Sequence, residues 1–440
     1  MLLGIDIGTT KTAVVLTDEQ RGVHAVVSRV HEAGVQGSHA EQDASRHLET
    51  LRELICELPA DARRSVRSIG VTGQMHGTLV VDEEGIPLTP LITWQDRRCL
   101  TEPGFLPNLN ALTGHALRSG YGCATLCWLS AHNALPSKAA AAATIQDWLV
   151  MRLCGQQRLL TDATGAASFG LFDLRSMNWD ETAIAAAALP RELLPEVRPC
   201  GSRAGTLDAS LAQDLDLPNG VPIAVAVGDN QASLLATLVE PERELALTLG
   251  TGGQLSAVLP TGTSISAELL AATHEYRPFP GGRIALVAAA LCGGAAWSWL
   301  AESIEAWTRD LQLPCPDRNE LFARLDTLGL AGKDTLHVRS SFLGERHAGS
   351  LRGSIEGIDL ENFTPGNIAR ALARGIVTNL KDMLPASVLQ HRERIVGSGN
   401  ALRRSRLLQQ MTEEVLGLPL KLTEGREEAA VGAALNAKDC

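Results

Sequence analysis

The 440-residue sequence predicts an α/β protein built as two related lobes, and three observations carry that prediction. Strand-like and helix-like stretches alternate along most of the chain, as they do in α/β folds. An apolar strand followed by a Gly-Thr turn opens the chain and recurs near residue 245. The length exceeds one ordinary core and suits two domains of about 200 residues each.

The opening segment Leu2-Leu3-Gly4-Ile5-Asp6-Ile7 reads as a buried strand, Gly8-Thr9-Thr10 as a tight turn, and Thr12 to Leu16 as a returning strand of largely β-branched residues. Residues 41 to 58 carry spaced apolar positions (Ala44, Leu48, Leu51, Ile55) suited to an amphipathic helix, and Ser68 to Thr72 make a short strand. The run Val221 to Val227 reads as one buried central strand, followed by Gly228-Asp229-Asn230-Gln231 and a helix. The opening pattern then returns: Gly8 aligns with Gly250, Thr9 with Thr251, and Leu3, Ile5 and Ile7 with Leu245, Leu247 and Leu249, before a second returning strand from Gln254 to Leu259. The lobe boundary is placed near residue 237, giving domains 1–237 and 238–440. Late in the chain Arg394-Ile395-Val396 runs into Gly397-Ser398-Gly399-Asn400 and a helix from Ala401 to Met411. The alanine-rich stretches 136–143 and 183–189 read as helices with small faces.

Composition narrows the function classes. A hydrophobic fraction of 45% with 20% charged residues is that of an ordinary globular protein, and no apolar run approaches the ~20 residues needed to span a bilayer. The first ten residues read as strand and turn, not as a signal peptide, so a cytoplasmic location is expected. Nine cysteines without any Cys-x-x-Cys do not form a disulfide or zinc framework; Cys123 and Cys127, four apart, read as small core residues. A net charge of −11 argues against nucleic acid or an anionic membrane as partner. Any anion must be held locally.

A Gly-Thr-Thr turn between strands offers several backbone N–H groups and two hydroxyls, so Gly8, Thr9 and Thr10 form a candidate phosphate cradle. Asp6, just before it, is placed to hold a hydrated Mg²⁺ bridging phosphates. A plain hairpin with a surface carboxylate is the alternative for this loop alone. The second loop, Gly250-Thr251-Gly252, favours a pair that encloses a polyphosphate. Asp229 follows an apolar strand, where ligands bind in α/β sheets, and could take the proton of an attacking hydroxyl; capping the next helix is the alternative. Two further strand ends, Gly73-Gln74-Met75-His76-Gly77 and Trp94-Gln95-Asp96-Arg97-Arg98, combine glycines, an apolar wall and hydroxyl acceptors, a mixture suited to a polyol. A structural His76 and a core Trp94 are the alternatives. The Gly397-Ser398-Gly399-Asn400 turn lets a base or ribose lie against backbone, and the small-residue helix from Glu428 to Ala434 either backs that pocket or serves close packing. The six-position dinucleotide fingerprint is absent, so hydride chemistry is not supported.

Together these segments resemble the FGGY carbohydrate kinases. The likeness rests on VTGQMHG (71–77), TWQDRRC (93–99), GYGCATLCWL (120–129), TIQDWLVMRLCG (144–155), GDNQAS (228–233), FLGERH (342–347), RALARGIV (370–377) and VGSGNAL (396–402), spread over nearly the whole chain. The resemblance implies an actin-like, two-domain fold with a ribonuclease-H-like core in each lobe and ATP between them. It implies Asp229 as general base and, with Asp6, as a Mg²⁺ contact. It implies Asp6, Gly8, Thr9 and Thr10 as the first phosphate loop, Gly250, Thr251 and Gly252 as the second, Gly397, Gly399 and Asn400 as the adenosine site, and Gln74, Met75, His76, Trp94 and Asp96 as sugar contacts. The GCATLCWL and GERH stretches favour a heptulose kinase, with conversion of sedoheptulose to sedoheptulose 7-phosphate as the implied reaction. The partners expected are a sugar and ATP, with no nucleic acid and no membrane, in a monomer or homodimer.

Many relatives carry a basic residue where this chain has Ala13. Lys11, two positions earlier on the same strand face, is placed to supply that charge near the γ-phosphate; a solvated hairpin lysine is the alternative. The competing functional readings are a xylulose or other ketopentose kinase, an actin-like nucleotide-binding module without a sugar site, and a sugar sensor. The polyol-type strand ends speak against the module, and the intact Asp6, Asp229 and paired loops against the sensor.

Overall fold

Burial on both faces makes the opening segment a central strand. A computed structural model of the chain describes residues 1–263, 269, 271–423, 425 and 427–440. In it β1 (Leu2–Ile7) has Leu2, Leu3, Ile5 and Ile7 wholly buried. It pairs antiparallel with β2 (Lys11–Thr17), setting Leu3 opposite Leu16 and Asp6 opposite Ala13, and β2 pairs in turn with β3 (Val23–Val30). On its other side β1 runs parallel to β4 (Ser68–Gly73). The strands β5 (Arg203–Thr206) and β6 (Pro222–Ala224) continue the sheet, and β7 (Val227–Gly228) also pairs with β4. The run 221–227 is therefore two strands: the Val225 amide turns away to donate to the Ser202 carbonyl at 2.8 Å, which interrupts the ladder.

The register places the site. Ile7 stands beside Gly73, and Gly73 beside Gly228, so three parallel strands end on one edge of the sheet. The helix α1 (Ala44–Glu57) starts at Asp43, whose side chain accepts the Ser45 N–H. Its Leu51, Leu54 and Ile55 close a core with Leu3, Ile5, Leu16, Ile69, Val71 and Ile223. Each such side chain contributes about 1.5–3 kcal/mol relative to exposure. Helices α2 (Gly122–Ala131), α3 (Ala163–Phe169) and α4 (Asp229–Thr237) follow, the last beginning at Asp229 itself. Cys123 and Cys127 are buried in α2, and all nine cysteines are free.

The second sheet repeats the local plan. Its β8 (Glu244–Leu249) forms a hairpin with β9 (Gly253–Leu259), which pairs with β10 (Arg283–Ala290). Helix α5 (Gly294–Asp310) follows β10. On its other side β8 runs parallel to β11 (Arg394–Ser398), as β1 does to β4. The predicted helix 401–411 is two helices, α6 (Asn400–Arg404) and α7 (Arg406–Leu416), broken where Ser405 caps the second. Asp326 accepts the Arg406 and Leu407 amides at 2.9 and 3.1 Å, so the start of α7 is satisfied from within. The short strand β12 (Leu420–Leu422) completes this edge.

Two alanine-rich expectations part company. Glu181–Ala186 is helical, but Ala141–Ala143 is a strand paired with Leu79–Val81, because an available sheet edge outweighs alanine's helix preference. The last helix, α8 (Glu428–Asn436), packs on β1 and β4. A Cβ on Gly4 would lie 1.9 Å from the Ala430 carbonyl oxygen, and one on Gly70 1.7 Å from that of Ala433, so the small residues serve close packing. The chain forms two compact units, Met1–Ala236 with Pro278–Gly282 and Gly425–Cys440, and Thr237–Arg277 with Arg283–Glu424. Among the described residues no helix is long and apolar enough to cross a membrane.

A Cβ on Gly432 would lie 1.7 Å from the Ala232 carbonyl oxygen of α4, whereas one on Gly34 meets nothing within 4 Å. Gly432→Ala should therefore cost about 1–3 kcal/mol in denaturant unfolding, with Gly34→Ala within about 0.5 kcal/mol of the parent.

Candidate active site

Three chain segments leave the shared edge of the first sheet: the turn Gly8–Thr10 after β1, Gln74–Gly77 after β4, and Asp229 after β7. Asp6 sits one residue before the end of β1. Burial pushes its carboxyl up to about 7, the nearby Asp229 and Glu427 carboxylates push the same way, and the Lys11 ammonium opposes them. Asp6 Oδ1 is buried without a hydrogen-bond partner. An orphaned oxygen among other carboxylates is a fit for a hydrated divalent cation. Among the described residues no three ligating groups converge for direct coordination, so these carboxylates suit a water-mediated contact.

The first loop is held by its own carbonyls. Gly8 N donates to Lys11 O at 2.9 Å, the His31 ring reaches Gly8 O at 3.2 Å, and Gln42 Nε2 donates to Thr9 O at 2.8 Å. The Gln42 carbonyl oxygen accepts from Gln74 Nε2 at 2.7 Å and from His47 Nε2 at 3.0 Å. Burial, with His31 beside it, pushes the His47 imidazole down to about 3, so it stays neutral and can brace the loop without adding charge. Trp94 is 46% exposed, not core; its indole N–H donates to Thr9 Oγ1 at 2.9 Å, which faces Gln74 Oε1 at 3.5 Å. Thr10 is exposed at the tip.

His76 has φ +76°, a conformation uncommon for a residue with a side chain. Its backbone N–H donates to Ser168 Oγ at 3.3 Å, its Nδ1 donates to Ser168 O at 2.8 Å, and its ring stacks on Tyr121 at 4.4 Å and 5°. Because the partner is a carbonyl oxygen, Nδ1 carries the proton of that bond. Met75 is buried beneath Gly228, where a Cβ would lie 3.0 Å from its sulfur. Asp96, expected among the sugar contacts, is covered: Oδ1 accepts Arg98 N and Nε at 2.9 and 2.7 Å, and Oδ2 accepts Arg98 Nη2 at 3.1 Å. Burial pushes its carboxyl up, but these bonds outweigh it and hold the group below the usual carboxylate range. Arg98 in turn binds Glu41 at 2.6 Å.

Lys11 does not stand free beside the loop. Its ammonium lies 2.6 and 2.7 Å from the two oxygens of Glu427, and this pairing holds a carboxylate that is only 13% exposed. Ala13 is wholly buried opposite Asp6.

In the second unit Gly250, Thr251 and Gly252 form the turn of the β8–β9 hairpin. The Gly294 amide donates to Gly250 O at 2.7 Å, and the Gly293 and Ala295 amides to Thr251 O at 3.0 and 2.9 Å. A Cβ on Gly293 or Gly294 would lie 2.4 Å from a loop carbonyl oxygen, so both glycines are required for this approach. Gly399, at φ +93°, comes equally close to Leu249 O, and Thr248 Oγ1 lies 2.8 Å from Ser398 Oγ. The two glycine turns thus sit side by side at the carboxyl ends of β8 and β11, with Asn400 exposed at the start of α6. Gly397 is buried within β11, where its missing side chain makes room for Leu402, Leu420 and Leu422.

Residues 1–236 match the N-terminal domain of the FGGY family of carbohydrate kinases, and residues 245–438 its C-terminal domain. The chain belongs to the FGGY family of carbohydrate kinases. It is similar to sedoheptulokinase of Homo sapiens, 34% identical over 98% of this chain and 96% of that protein. It is 28% identical to glycerol kinase of Gloeobacter violaceus, over 99% of this chain and 87% of that one. Among solved structures, xylulose kinase from Rhodospirillum rubrum superposes with a TM-score of 0.84 at 25% identity, covering 99% of this chain and 89% of that chain. This FGGY kinase therefore has the family's two-domain, actin-like α/β fold and is an ATP-dependent sugar kinase.

Several residues of the candidate site carry no sequence motif of their own. Gln42 and His47 brace the first loop from α1 and the segment before it, and Glu427 reaches Asp6 from the far end of the chain. Tyr121 was legible only as the residue between two glycines, and Gly293-Gly294 only as a glycine pair before a helix.

Between about pH 4 and 7 an unfolded Asp6 ionises while the folded one keeps its proton, so the parent loses stability as pH rises through that window. Asp6→Asn should therefore raise the Tm of the ligand-free kinase above pH 7 by a few degrees, with the difference closing toward pH 4.

Proposed function

We propose that this kinase phosphorylates a ketose, with sedoheptulose the preferred substrate and sedoheptulose 7-phosphate the product. The observation that carries the mechanism is the placement of Asp229 at the end of β7, level with the first loop and within the electrostatic field of Asp6. The sugar hydroxyl gives its proton to the Asp229 carboxylate as its oxygen forms a bond to the γ-phosphorus. The bond from that phosphorus to the bridging oxygen breaks, and ADP leaves. Gln74, His76 and Trp94 line the acceptor side, Trp94 as an apolar wall. Gly8–Thr10 in the first unit and Gly250–Gly252 in the second each offer backbone N–H groups suited to phosphate, and Gly399 with Asn400 suits the adenosine. Asp6 and Asp229 would hold Mg²⁺ through water, which would neutralise charge on the phosphates. The choice of sedoheptulose follows the greater identity to human sedoheptulokinase than to the glycerol kinase.

ADP release measured over sedoheptulose, xylulose, ribulose and glycerol tests the reading. Sedoheptulose should give the highest kcat/KM, and Asp229→Asn should lower kcat by about 10²- to 10⁴-fold. Comparable rates on all four sugars would remove the heptulose preference, and a fast Asp229→Asn enzyme would remove the base.

Lys11→Met strips the ammonium that offsets Asp6 and leaves Glu427 unpaired. The KM for MgATP should rise by about 3- to 10-fold, and adding Glu427→Gln should restore most of the loss.

A further inference from the structure

Helix α3 touches both halves of the candidate site while contributing no group to it. At its start Asp162, wholly buried, accepts the Gly165 N–H at 2.9 Å, which already caps the helix, and also the Thr164 hydroxyl at 2.6 Å. The buried Thr164 hydroxyl accepts the Gly228 N–H at 2.7 Å. The direction of this chain is unambiguous: an amide must donate, so the hydroxyl accepts it and passes its own hydrogen to the carboxylate. On the other side of β7, Thr72 Oγ1 donates to Val227 O at 2.6 Å. A two-residue strand is thus pinned from both flanks immediately before Asp229. Gly228 has no room for a side chain, since a Cβ would lie 2.7 Å from Gln231 Oε1 and 3.0 Å from Met75, so its backbone is the available handle. At the far end of α3, Ser168 holds His76.

We infer that Thr164, supported by Asp162, is a positioning residue that sets the Asp229 carboxylate through the Gly228 amide. The inference rests on the reading of Asp229 as the base. Helix capping needs only Asp162 and Gly165; the additional bond ties the helix to the residue preceding the base. A misplacement on the scale of an ångström costs about 10²-fold in rate when geometry is limiting.

The test compares kcat, the KM for ATP and Tm for Thr164→Val, Thr164→Ser and Asp229→Asn. Asp208→Ala serves as a control, because it removes the cap of a helix elsewhere in the same unit. Thr164→Val should lose about 10- to 100-fold in kcat with the KM for ATP within about 2-fold of the parent, and Thr164→Ser should return to within about 3-fold. Asp208→Ala should lower Tm while keeping kcat. Thr164→Ala, which removes the hydroxyl without adding bulk, makes the same test should the valine variant not fold. Parent-like kcat in Thr164→Val beside an inactive Asp229→Asn would overturn the inference alone. Loss of kcat in Asp208→Ala matching that in Thr164→Val would overturn it as a stability effect. A parent-like Asp229→Asn would overturn the base assignment and this inference with it.

Discussion

Backbone pairing between β1, β4 and β7 sets Ile7, Gly73 and Gly228 side by side, and the rest of the site hangs on that register. Parallel strands that end level deliver three unrelated segments to one edge: a turn rich in N–H groups, a glycine-flanked Gln-Met-His, and a carboxylate that opens a helix. None of them could find the others by local preference. A shift of one residue in β4 would turn its side chains to the opposite face and take Gln74 away from Thr9. The glycines at Gly4 and Gly70 hold this arrangement from behind by letting α8 lie against the strands.

The same edge gathers charge of one sign. Burial, Asp229 and Glu427 raise the energy of the ionised Asp6, and Lys11 offsets part of it. Such a cluster is costly in the ligand-free protein and would be relieved by a cation, which is why a metal-bound polyphosphate is proposed here. On that proposal, a chain of net charge −11 would hold an anionic nucleotide locally, with fixed backbone donors for the phosphates and carboxylates for the counterion. The buried, neutral His47 fits the same logic, since it braces the loop through Gln42 without altering its charge.

Much of the fold was legible in the chain. The repeat of strand and Gly-Thr turn proved to be a repeat of pairing, with each hairpin strand flanked on its other side by a parallel neighbour. Where expectation failed, a tertiary partner had outbid local preference. Ala141–Ala143 joined Leu79–Val81 as a strand, and Ser405 and Asp326 divided a helix. At the site, Lys11 was placed on the right strand face, but its partner Glu427 lies 416 residues away and has no periodic signature. Asp96 carried the right chemistry for a sugar contact, and only the side chains show it bound to Arg98.

The sequence by itself determined the two-lobe α/β plan, the paired glycine turns and the candidate base, because strand periodicity and turn chemistry are properties of neighbours along the chain. Tertiary structure alone decided how the Gly8–Thr10 turn is held. Its carbonyls are taken by His31 and Gln42, its threonine by Trp94, and the charge beside it is balanced by Glu427 and Lys11. These are contacts between segments far apart in sequence, and only packing brings them together.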